Sequence, residues 1–303
     1  MSLTGKKILV TGAGGFLGEH VVARLKAVGI SEDNIVAHSR NSGNLLDPSE
    51  CEKVAQGSQI VIHLAGITGG ISFHHDNAAR IYEENRAMGM NVIVAAQKSG
   101  AEKFVMAGSL TEYGVSAPLP LREDTLWDGE PKPMHAPYAR AKRALLVEAT
   151  KRRAKGLQSA HLLLASMYGP GEKDDFVIPA LIRRMTEAKE KQLPSVPVMG
   201  TGNDTRDFLY VDDAAEAIVL AAEKYDSDIP VNIASGKETT IRDLALTIAR
   251  LVGYGGKVEF DNQPESAERV AADITRAKEW GWSPATSLEK GLLKTIEWHR
   301  MNS

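Results

Sequence analysis

The sequence has little of what marks secreted, membrane and nucleic-acid-binding proteins. Its 303 residues include one cysteine, Cys51, so an internal disulfide is excluded. No apolar run approaches the ~18 residues of a membrane-spanning helix, and the run in the opening MSLTGKKILV is too short for a signal peptide or an anchor. A formal net charge of −3 gives no general attraction to nucleic acid. We therefore expect a cytoplasmic protein without membrane or nucleic-acid partners.

Apolar strands alternate with helical stretches over the first part of the chain. The runs KKILV, NIVAHS, QIVIHLAG, KFVMAGS and SAHLLLASMYG are typical of strands, and helix-forming segments separate them. This alternation predicts an α/β fold with a doubly wound parallel sheet and right-handed crossovers. After Gly169 the segments become shorter and turn-rich. We predict a first domain over 1–168 and a smaller substrate-binding domain over 169–303, with 204–226 packing back on the first.

A glycine loop follows the first strand. TGAGGFLG places Gly12, Gly15 and Gly18 three residues apart, with Phe16 and Leu17 opening the next helix. Glycines there permit a tight turn and a close backbone approach to a pyrophosphate, which the helix N-terminus stabilises. The strand–turn–helix context favours dinucleotide binding, and hence a Rossmann-type domain, over a merely structural turn.

The end of the second strand bears on the choice of coenzyme. NAD enzymes usually carry an acid there for the ribose hydroxyls, but this chain has His38, Ser39 and Arg40. Arg40 is suited to pair with a 2′-phosphate through charge-assisted hydrogen bonds. NADP is therefore the predicted coenzyme, with Ser39 and Arg40 among its contacts. NAD binding beside an exposed arginine stays the alternative.

Tyr138 and Lys142 form the candidate acid–base pair. They stand at i and i+4 in PYARAK, so both project from one face of the predicted helix. A neighbouring ammonium favours the phenolate, which makes tyrosine a usable proton shuttle for a carbinol or carbonyl. Ser109, at the end of the KFVMAGS strand, is placed to hydrogen-bond the same oxygen. Together with the glycine loop these residues predict an active site.

These motifs together resemble the extended short-chain dehydrogenase/reductase family of nucleotide-sugar epimerases, reductases and dehydratases. The likeness runs from about Lys7 to Trp298 and includes TGAGGFLG, HLAG, Asn85, PYARAK, YGPG and GTGNDTRDFLYVDDAAEAI. NLLDPSE, VIPALIRR and TIRDLALTIARLVGYGGKVEFD look like its GDP-L-fucose synthase branch. The resemblance implies a nucleotide-sugar substrate. It also implies a homodimer built on the helix of Tyr138 and the helix near Asn85.

The resemblance implies further site residues. Those for the coenzyme are Asn44, Leu45, Leu64, Ala65, Gly66 and Met167. Those for the sugar nucleotide are Ser166, Arg184 and Arg206, with Arg206 on the diphosphate. Arg269, which follows the polar loop DNQPESAE, is a further candidate substrate contact.

The chain departs from the resembled family just after Ser109. Dehydratases of the family carry an Asp–Glu pair where this chain has Leu110 and Thr111, so dehydration is disfavoured. The fucose synthase branch has a cysteine in place of Thr111 and a histidine in place of Phe176, and that pair is implied to move protons beside the ketone. Threonine is not an acidic thiol and phenylalanine does not titrate. Hydride transfer at C4 needs only the coenzyme, Tyr138, Lys142 and Ser109.

The first hypothesis is therefore an NADP-dependent reductase of a nucleotide-linked 4-keto sugar. The second is a 4-epimerase with tightly bound NAD, for which Thr111 would hydrogen-bond the sugar. A non-catalytic coenzyme-binding module is the third, disfavoured because Tyr138 and Lys142 are both retained.

Other polar clusters have simpler interpretations. FHHDN (73–77) is interpreted as a substrate-side loop, so no metal site is expected. His63 is interpreted as a packed residue, and Asp212 and Asp213 as structural residues at a helix start.

Overall fold

A six-stranded parallel sheet forms the centre of the molecule. The computed structural model describes residues 1–261 and 269–302. The strands of this sheet are β1 (Ile8–Thr11), β2 (Ile35–His38), β3 (Ile60–His63), β4 (Lys103–Ser109), β5 (Gln158–Leu164) and β10 (Val231–Ile233). Their spatial order is β10-β5-β4-β3-β1-β2, and every neighbouring pair is parallel. The predicted α/β fold with a doubly wound sheet is confirmed.

Helices connect these strands and cover both faces of the sheet. Those involved are α1 (Phe16–Ala27), α2 (Pro48–Ala55), α4 (Ala78–Lys98), α5 (Ala136–Arg153) and α7 (Val211–Lys224). α2, α4 and α5 pack side by side, whereas α1 packs against α7. β1, β3 and β5 are mostly apolar and almost fully buried because both faces are covered, whereas β2 at the edge of the sheet is only partly buried.

The segment SAHLLLASMYG forms two strands, where the sequence predicts one. β5 ends at Leu164, and β6 (Ser166–Tyr168) pairs in a separate sheet with β9 (Phe208–Tyr210). The amide of Ala165 still bonds to the Ile233 carbonyl at 3.0 Å, but the next amide, Ser166, bonds to the Asp207 carbonyl at 3.1 Å. The apolar run shows no break at this position. The partner of β6 is β9, about forty residues later in the chain. The periodicity of a strand does not predict which strand it pairs with.

The later part of the chain adds further helices and strands, and a second hydrophobic cluster lies among them. They are α6 (Val177–Glu190), β7 (Ser195–Val198), β8 (Thr205–Arg206), β11 (Thr239–Thr240), α8 (Ile241–Val252), β12 (Lys257–Phe260) and α10 (Leu288–Asn302). β7 pairs with β12, and β8 pairs with β11. The second cluster draws its buried residues from α6, β7, β9, α8 and α10, with Tyr168 of β6, whereas α7, β10 and α9 (Thr275–Glu279) contribute to the first. The division of the chain at residue 168 stays a prediction.

The two aspartates that open α7 have different partners. Asp213 is buried and accepts hydrogen bonds from the amide and the hydroxyl of Thr286, at 2.9 and 3.0 Å. Asp212 bonds to the imidazole of His20 at 2.6 Å and so joins α7 to α1. Both carboxylates therefore have partners in other segments of the fold.

Within the described ranges, 1–261 and 269–302, no helix combines the length and the apolar character that crossing a membrane would require.

Candidate active site

The glycine loop and the end of β3 touch through their backbones. Gly12 has φ +74°, and a Cβ there would lie 2.7 Å from the amide nitrogen of Ala65. A Cβ on Gly18 would lie 2.0 Å from the carbonyl oxygen of Gly12. Side chains are thus excluded at both positions, and Leu17 is buried behind them.

The N-terminus of α1 opens directly from this loop. Gly15 is the N-cap, and no side chain caps the first turn, where Phe16 and Leu17 lie. The first amides of a helix are donors without intrahelical partners, and the helix dipole adds a partial positive charge. A cradle of glycines below an uncapped helix N-terminus fits the pyrophosphate of a dinucleotide coenzyme.

The segment after β2 lies beside the glycine loop. A Cβ on Gly14 would lie 3.3 Å from the Cβ of Ser39. Ser39 bonds through its hydroxyl to that of Ser42 at 3.2 Å, and Arg40 begins the short 3₁₀ turn Arg40–Ser42. The Arg40 side chain is exposed.

The two residues predicted beside the adenine come next along the chain. Asn44 is exposed, and Leu45 is buried with its carbonyl accepting a hydrogen bond from the Asn91 side-chain Nδ2 at 3.1 Å. The roles predicted for Ser39, Arg40, Asn44 and Leu45 stay predictions.

The residues after β3 lie between the glycine loop and Lys142. Leu64 and Ala65 are half-buried. A Cβ on Gly66 would lie 3.0 Å from Asn85 Oδ1 and 3.9 Å from Lys142 Nζ. Asn85 is buried and holds the backbone of Ile67 by two hydrogen bonds, of 2.7 and 2.9 Å. The structure therefore brings the glycine loop and α5, the helix that carries Tyr138 and Lys142, to the same edge of the sheet.

Tyr138 and Lys142 share one face of α5, as their spacing predicts. The ammonium of Lys142 lies 5.4 Å from the centre of the Tyr138 ring. Tyr138 is half-buried, whereas only 4% of Lys142 is exposed. This places a positive charge beside a phenol that solvent or substrate can reach.

His63 lies below this pair and is buried. Burial, with a smaller effect from the Lys142 charge, lowers the pKa of His63 to about 3. Its Nδ1 atom lies 2.8 Å from the Thr11 hydroxyl. A neutral histidine with a hydrogen-bond partner inside the fold fits the interpretation of a packed residue.

Ser109 and Thr111 are joined by two hydrogen bonds. The hydroxyl oxygen of Ser109 accepts from the Thr111 amide at 3.1 Å and from the Thr111 hydroxyl at 2.9 Å. A serine oxygen has two lone pairs and one hydrogen. Both lone pairs are engaged, so the Ser109 hydroxyl is left as a hydrogen-bond donor. Both side chains are half-buried at the carboxyl end of β4.

His74 is a neighbour of Tyr138 that is not among the site residues predicted from the sequence. FHHDN, interpreted as a loop, falls largely in helix α3 (Ile71–Asp76). The His74 ring packs edge-on to Tyr138, with 6.1 Å between ring centres, and its Nε2 atom lies 3.1 Å from the Thr68 hydroxyl. Burial lowers the pKa of His74, so it is a neutral neighbour of the tyrosine. No fixed spacing links position 74 to Tyr138, so the sequence alone carries no signal for this contact.

The loop between β6 and α6 borders the same region. Asp175 accepts a hydrogen bond from the Gly70 amide at 3.1 Å, and Phe176 is half-buried at the start of α6. Only 8% of Glu172 is exposed, and burial together with the Asp175 charge raises its pKa well above the usual range. Burial thus favours the neutral form of Glu172, a residue that is not among those predicted from the sequence.

The predicted substrate residues lie on several elements. Ser166 is exposed on β6, followed by the half-buried Met167. Arg184 donates to the Pro197 carbonyl at 3.2 Å, and Arg206 donates to the Thr205 carbonyl at 2.7 Å.

Arg269 already has a partner in this structure. Its guanidinium forms a forked pair with Glu238 at 2.6 and 2.7 Å, and Glu238 also accepts from the Thr205 hydroxyl at 2.7 Å. Arg206 and Arg269 thus border one small sheet, β8 with β11. Residues 262–268 of the predicted loop before Arg269 lie outside the described residues, and the roles of these substrate residues stay predictions.

Among residues 1–261 and 269–302, no group of three or more His, Cys, Asp or Glu side chains is arranged to hold a metal ion.

Replacing Gly18 by alanine tests the glycine cradle. The added Cβ would meet the Gly12 carbonyl, so the loop must open and its amides lose their common direction. We expect Gly18→Ala to raise the Kd for NADP by about 100-fold or more, the effect of losing two or so charge-assisted hydrogen bonds. Isothermal titration calorimetry measures this change. Gly255→Ala is the control because its Cβ would meet nothing within 4 Å, and equal affinities in the two variants would contradict the assignment.

Comparisons with known proteins agree with this geometry. The model of the NAD dependent epimerase/dehydratase family matches residues 8–234. A GDP-L-fucose synthase from Sinorhizobium fredii is 35% identical, and the alignment covers 97% of this chain and 96% of that protein. A GDP-mannoheptose C4 reductase from Campylobacter jejuni, solved with NADP bound, is 25% identical with a TM-score of 0.91 and 99% of each chain covered.

A UDP-glucose 4-epimerase from Thermotoga maritima, solved with UDP-glucose, is 27% identical with a TM-score of 0.85, over 97% of this chain and 99% of that one. The expectation of an enzyme of the extended short-chain dehydrogenase type is thereby confirmed. The chain belongs to the NAD dependent epimerase/dehydratase family.

Proposed function

We propose that this chain is an NADP-dependent reductase that delivers a hydride to the C4 ketone of a nucleotide-linked 4-keto sugar. The observation that carries the proposal is the hydrogen-bonding state of Ser109. Because Thr111 engages both lone pairs of its oxygen, Ser109 meets the substrate as a donor. A ketone oxygen accepts and does not donate, so it is the matching group. The relatives named GDP-L-fucose synthase and GDP-mannoheptose C4 reductase support a GDP-linked sugar.

Three side chains of this site then have separate tasks in reduction. When bound, NADPH supplies the hydride that C4 receives. The Ser109 hydroxyl donates to the carbonyl oxygen and polarises it, and the Tyr138 hydroxyl donates the proton that this oxygen takes up as charge develops. The buried ammonium of Lys142 stabilises the phenolate that remains on Tyr138.

The glycine loop and the segment after β2 supply the coenzyme contacts in this proposal. The N-terminus of α1 binds the pyrophosphate, and Arg40, exposed at the end of β2, pairs with the 2′-phosphate. No carboxylate stands among His38, Ser39 and Arg40 to repel that phosphate. NADP is therefore the coenzyme, in agreement with the C4 reductase that was solved with NADP bound.

Reduction proceeds without epimerisation at the neighbouring carbons. The Thr111 hydroxyl already donates its hydrogen to Ser109 at 2.9 Å, and Phe176 has no titratable group. Neither side chain supplies the acid or base that removing a ring proton requires. This departure separates the chain from the double-epimerising chemistry implied by its resemblance to the fucose synthase branch.

A nucleotide-sugar 4-epimerase is the second candidate function. The likeness to the Thermotoga maritima UDP-glucose 4-epimerase favours it, and so does the threonine at position 111. Such an enzyme oxidises C4 and reduces it again, so it retains its NAD and consumes no NADPH. Retained NAD in the purified protein, together with no net NADPH oxidation, would favour this candidate.

We further propose that the enzyme works in the cytoplasm as a homodimer formed through α4 and α5. Tyr82 on α4 and Val147 on α5 are large apolar side chains that are exposed in the single chain, which supports a partner on this face.

Arg40→Ala tests the coenzyme preference. Loss of a charge-assisted hydrogen-bonded pair costs about 1.5–3 kcal/mol, or roughly 10- to 150-fold in affinity. We expect the Kd for NADP to rise by that factor, and the Kd for NAD to change less than about twofold because NAD lacks the phosphate. Fluorescence titration of both coenzymes measures the effect. Lys53→Ala removes a surface charge on α2 as the control, and equal losses for both coenzymes in Arg40→Ala would exclude a 2′-phosphate contact.

Tyr138→Phe tests the proton donor. The variant keeps the ring beside Lys142 but removes the proton, so we expect kcat for NADPH oxidation to fall by about 10²–10⁴-fold. The Kd for NADP should stay within about threefold, because the lysine and the glycine cradle are unchanged. Tyr254→Phe removes a hydroxyl that bonds to the Leu193 carbonyl in the second hydrophobic cluster, and it is the matched control. Turnover that survives in Tyr138→Phe would remove this tyrosine from the mechanism.

A further inference from the structure

We infer that Glu112 and His161 are a positioning pair for Ser109, and that they set the direction in which its hydroxyl meets the substrate. This inference rests on the proposed reduction of a ketone. Neither residue belongs to the site that the sequence predicts. Both lie beneath it, where the carboxyl end of β4 turns into the short 3₁₀ helix Leu110–Glu112.

The pair is fully enclosed. Side-chain exposure is 0% for Glu112 and 1% for His161. Charged side chains are almost never buried to this extent unless they are paired. His161 lies in the middle of β5, a strand whose other buried residues are mostly apolar. A polar residue at such a position needs a partner, and Glu112 is that partner.

Glu112 joins three elements through its carboxyl group and its backbone carbonyl. It accepts a hydrogen bond from the Ser109 amide at 2.8 Å and lies 3.0 Å from His161 Nε2 through either oxygen. Its backbone carbonyl accepts from Arg143 Nε at 2.7 Å. Arg143 follows Lys142 directly on α5, so the turn that carries Ser109 is tied both to β5 and to the acid–base helix.

The two ring nitrogens of His161 have different surroundings. The carboxyl group of Glu112 accepts from the Ser109 amide and lies against His161 Nε2 through both of its oxygens. Nδ1 of His161 is buried and has no hydrogen-bond partner in the described part of the chain. Within the described residues, Nε2 is thus the ring nitrogen through which His161 forms its hydrogen bonds, both of them with Glu112.

Gly108 leaves the room that this arrangement needs. A Cβ at position 108 would lie 2.3 Å from His161 Nε2 and 2.6 Å from Glu112 Oε1. The glycine in GSLTEYG therefore admits the pair beneath the strand end. The buried glutamate, the histidine and the glycine form one interdependent arrangement.

Thr111 and Glu112 together hold Ser109, the residue that is proposed to contact the substrate. Glu112 holds the Ser109 amide while the Ser109 oxygen accepts from the Thr111 amide and hydroxyl. These bonds close the turn from both ends, so the Ser109 oxygen stays in one orientation. Without the bond from Glu112 to the Ser109 amide, only the Thr111 bonds hold the turn. The Ser109 hydroxyl then samples directions in which it does not reach the ketone oxygen.

The test is a double-mutant cycle with Ser109. Replacing the pair by leucines (Glu112→Leu with His161→Leu) removes both polar groups together, so that neither is left buried alone. We expect kcat to fall by about 30- to 100-fold in the Ser109 background, approaching the loss of one fixed donor to the reacting oxygen. In the Ser109→Ala background the same replacement should lower kcat by less than about threefold, because nothing remains to be positioned. The Kd for NADP should stay within about threefold throughout.

A purely structural pair would give a different pattern. Equal losses of kcat in the two backgrounds, or no loss in the first, would overturn the inference. Glu112→Gln keeps an acceptor for the Ser109 amide and nearly the same shape, so it should restore most of the kcat lost in the leucine pair. If the leucine pair fails to fold, the cycle is run with Glu112→Ala, which removes the acceptor of the Ser109 amide, and Ser109→Ala, where additive losses would likewise overturn the inference.

Hydrogen exchange separates this inference from the proposed function. We expect the Ser109 amide to exchange slowly in the parent protein and at least about tenfold faster in the leucine pair, since about 1.4 kcal/mol corresponds to tenfold. This measurement needs no substrate. Unchanged exchange would contradict the positioning role, whereas failure of the parent protein to reduce any nucleotide-linked keto sugar would contradict only the proposed function.

Discussion

The close approach of Gly12 to Ala65 determines where the other parts of the site lie. The contact joins the loop after β1 to the segment after β3, with a Cβ at Gly12 excluded by a 2.7 Å distance to the Ala65 amide. Because β1, β3 and β4 are parallel neighbours, their carboxyl ends meet at one edge. This edge holds the glycine cradle, the path through Gly66 to Lys142, and Ser109. A ligand in an open α/β sheet binds at such an edge.

The polarity of this edge suits reduction of a ketone. Lys142 contributes a buried positive charge beside Tyr138, and the burial that lowers the pKa of His63 to about 3 keeps that neighbour uncharged. Ser109 contributes a hydroxyl whose oxygen already accepts two hydrogen bonds from Thr111. In the proposed reduction, the Lys142 charge beside Tyr138 and the Ser109 hydrogen stabilise the negative charge that a carbonyl oxygen acquires when a hydride reaches its carbon.

The sequence was sufficient for those parts of the structure in which chemistry is tied to spacing along the chain. Gly12, Gly15 and Gly18 follow a strand and open a helix, and Tyr138 and Lys142 stand one helical turn apart, so local geometry alone predicts both groups. The short helix around His74 and the strand break at Ala165 were not predicted, because each depends on partners far away in sequence. The same holds for the Glu112–His161 pair. A glutamate after a strand end is typical of a solvated turn. Glu112 is buried here because His161 of β5, about fifty residues later in the chain, packs against it.

The central claim is that the site reduces C4 and leaves the neighbouring ring carbons untouched. The most direct measurement is NADPH oxidation with GDP-4-keto-6-deoxymannose in deuterated water, followed by the mass of the product. We expect NADPH oxidation without ring deuterium beyond the non-enzymatic background, because Thr111 donates to Ser109 and Phe176 does not titrate. Deuterium at both carbons that flank the ketone would contradict the claim and would show that the site also moves ring protons.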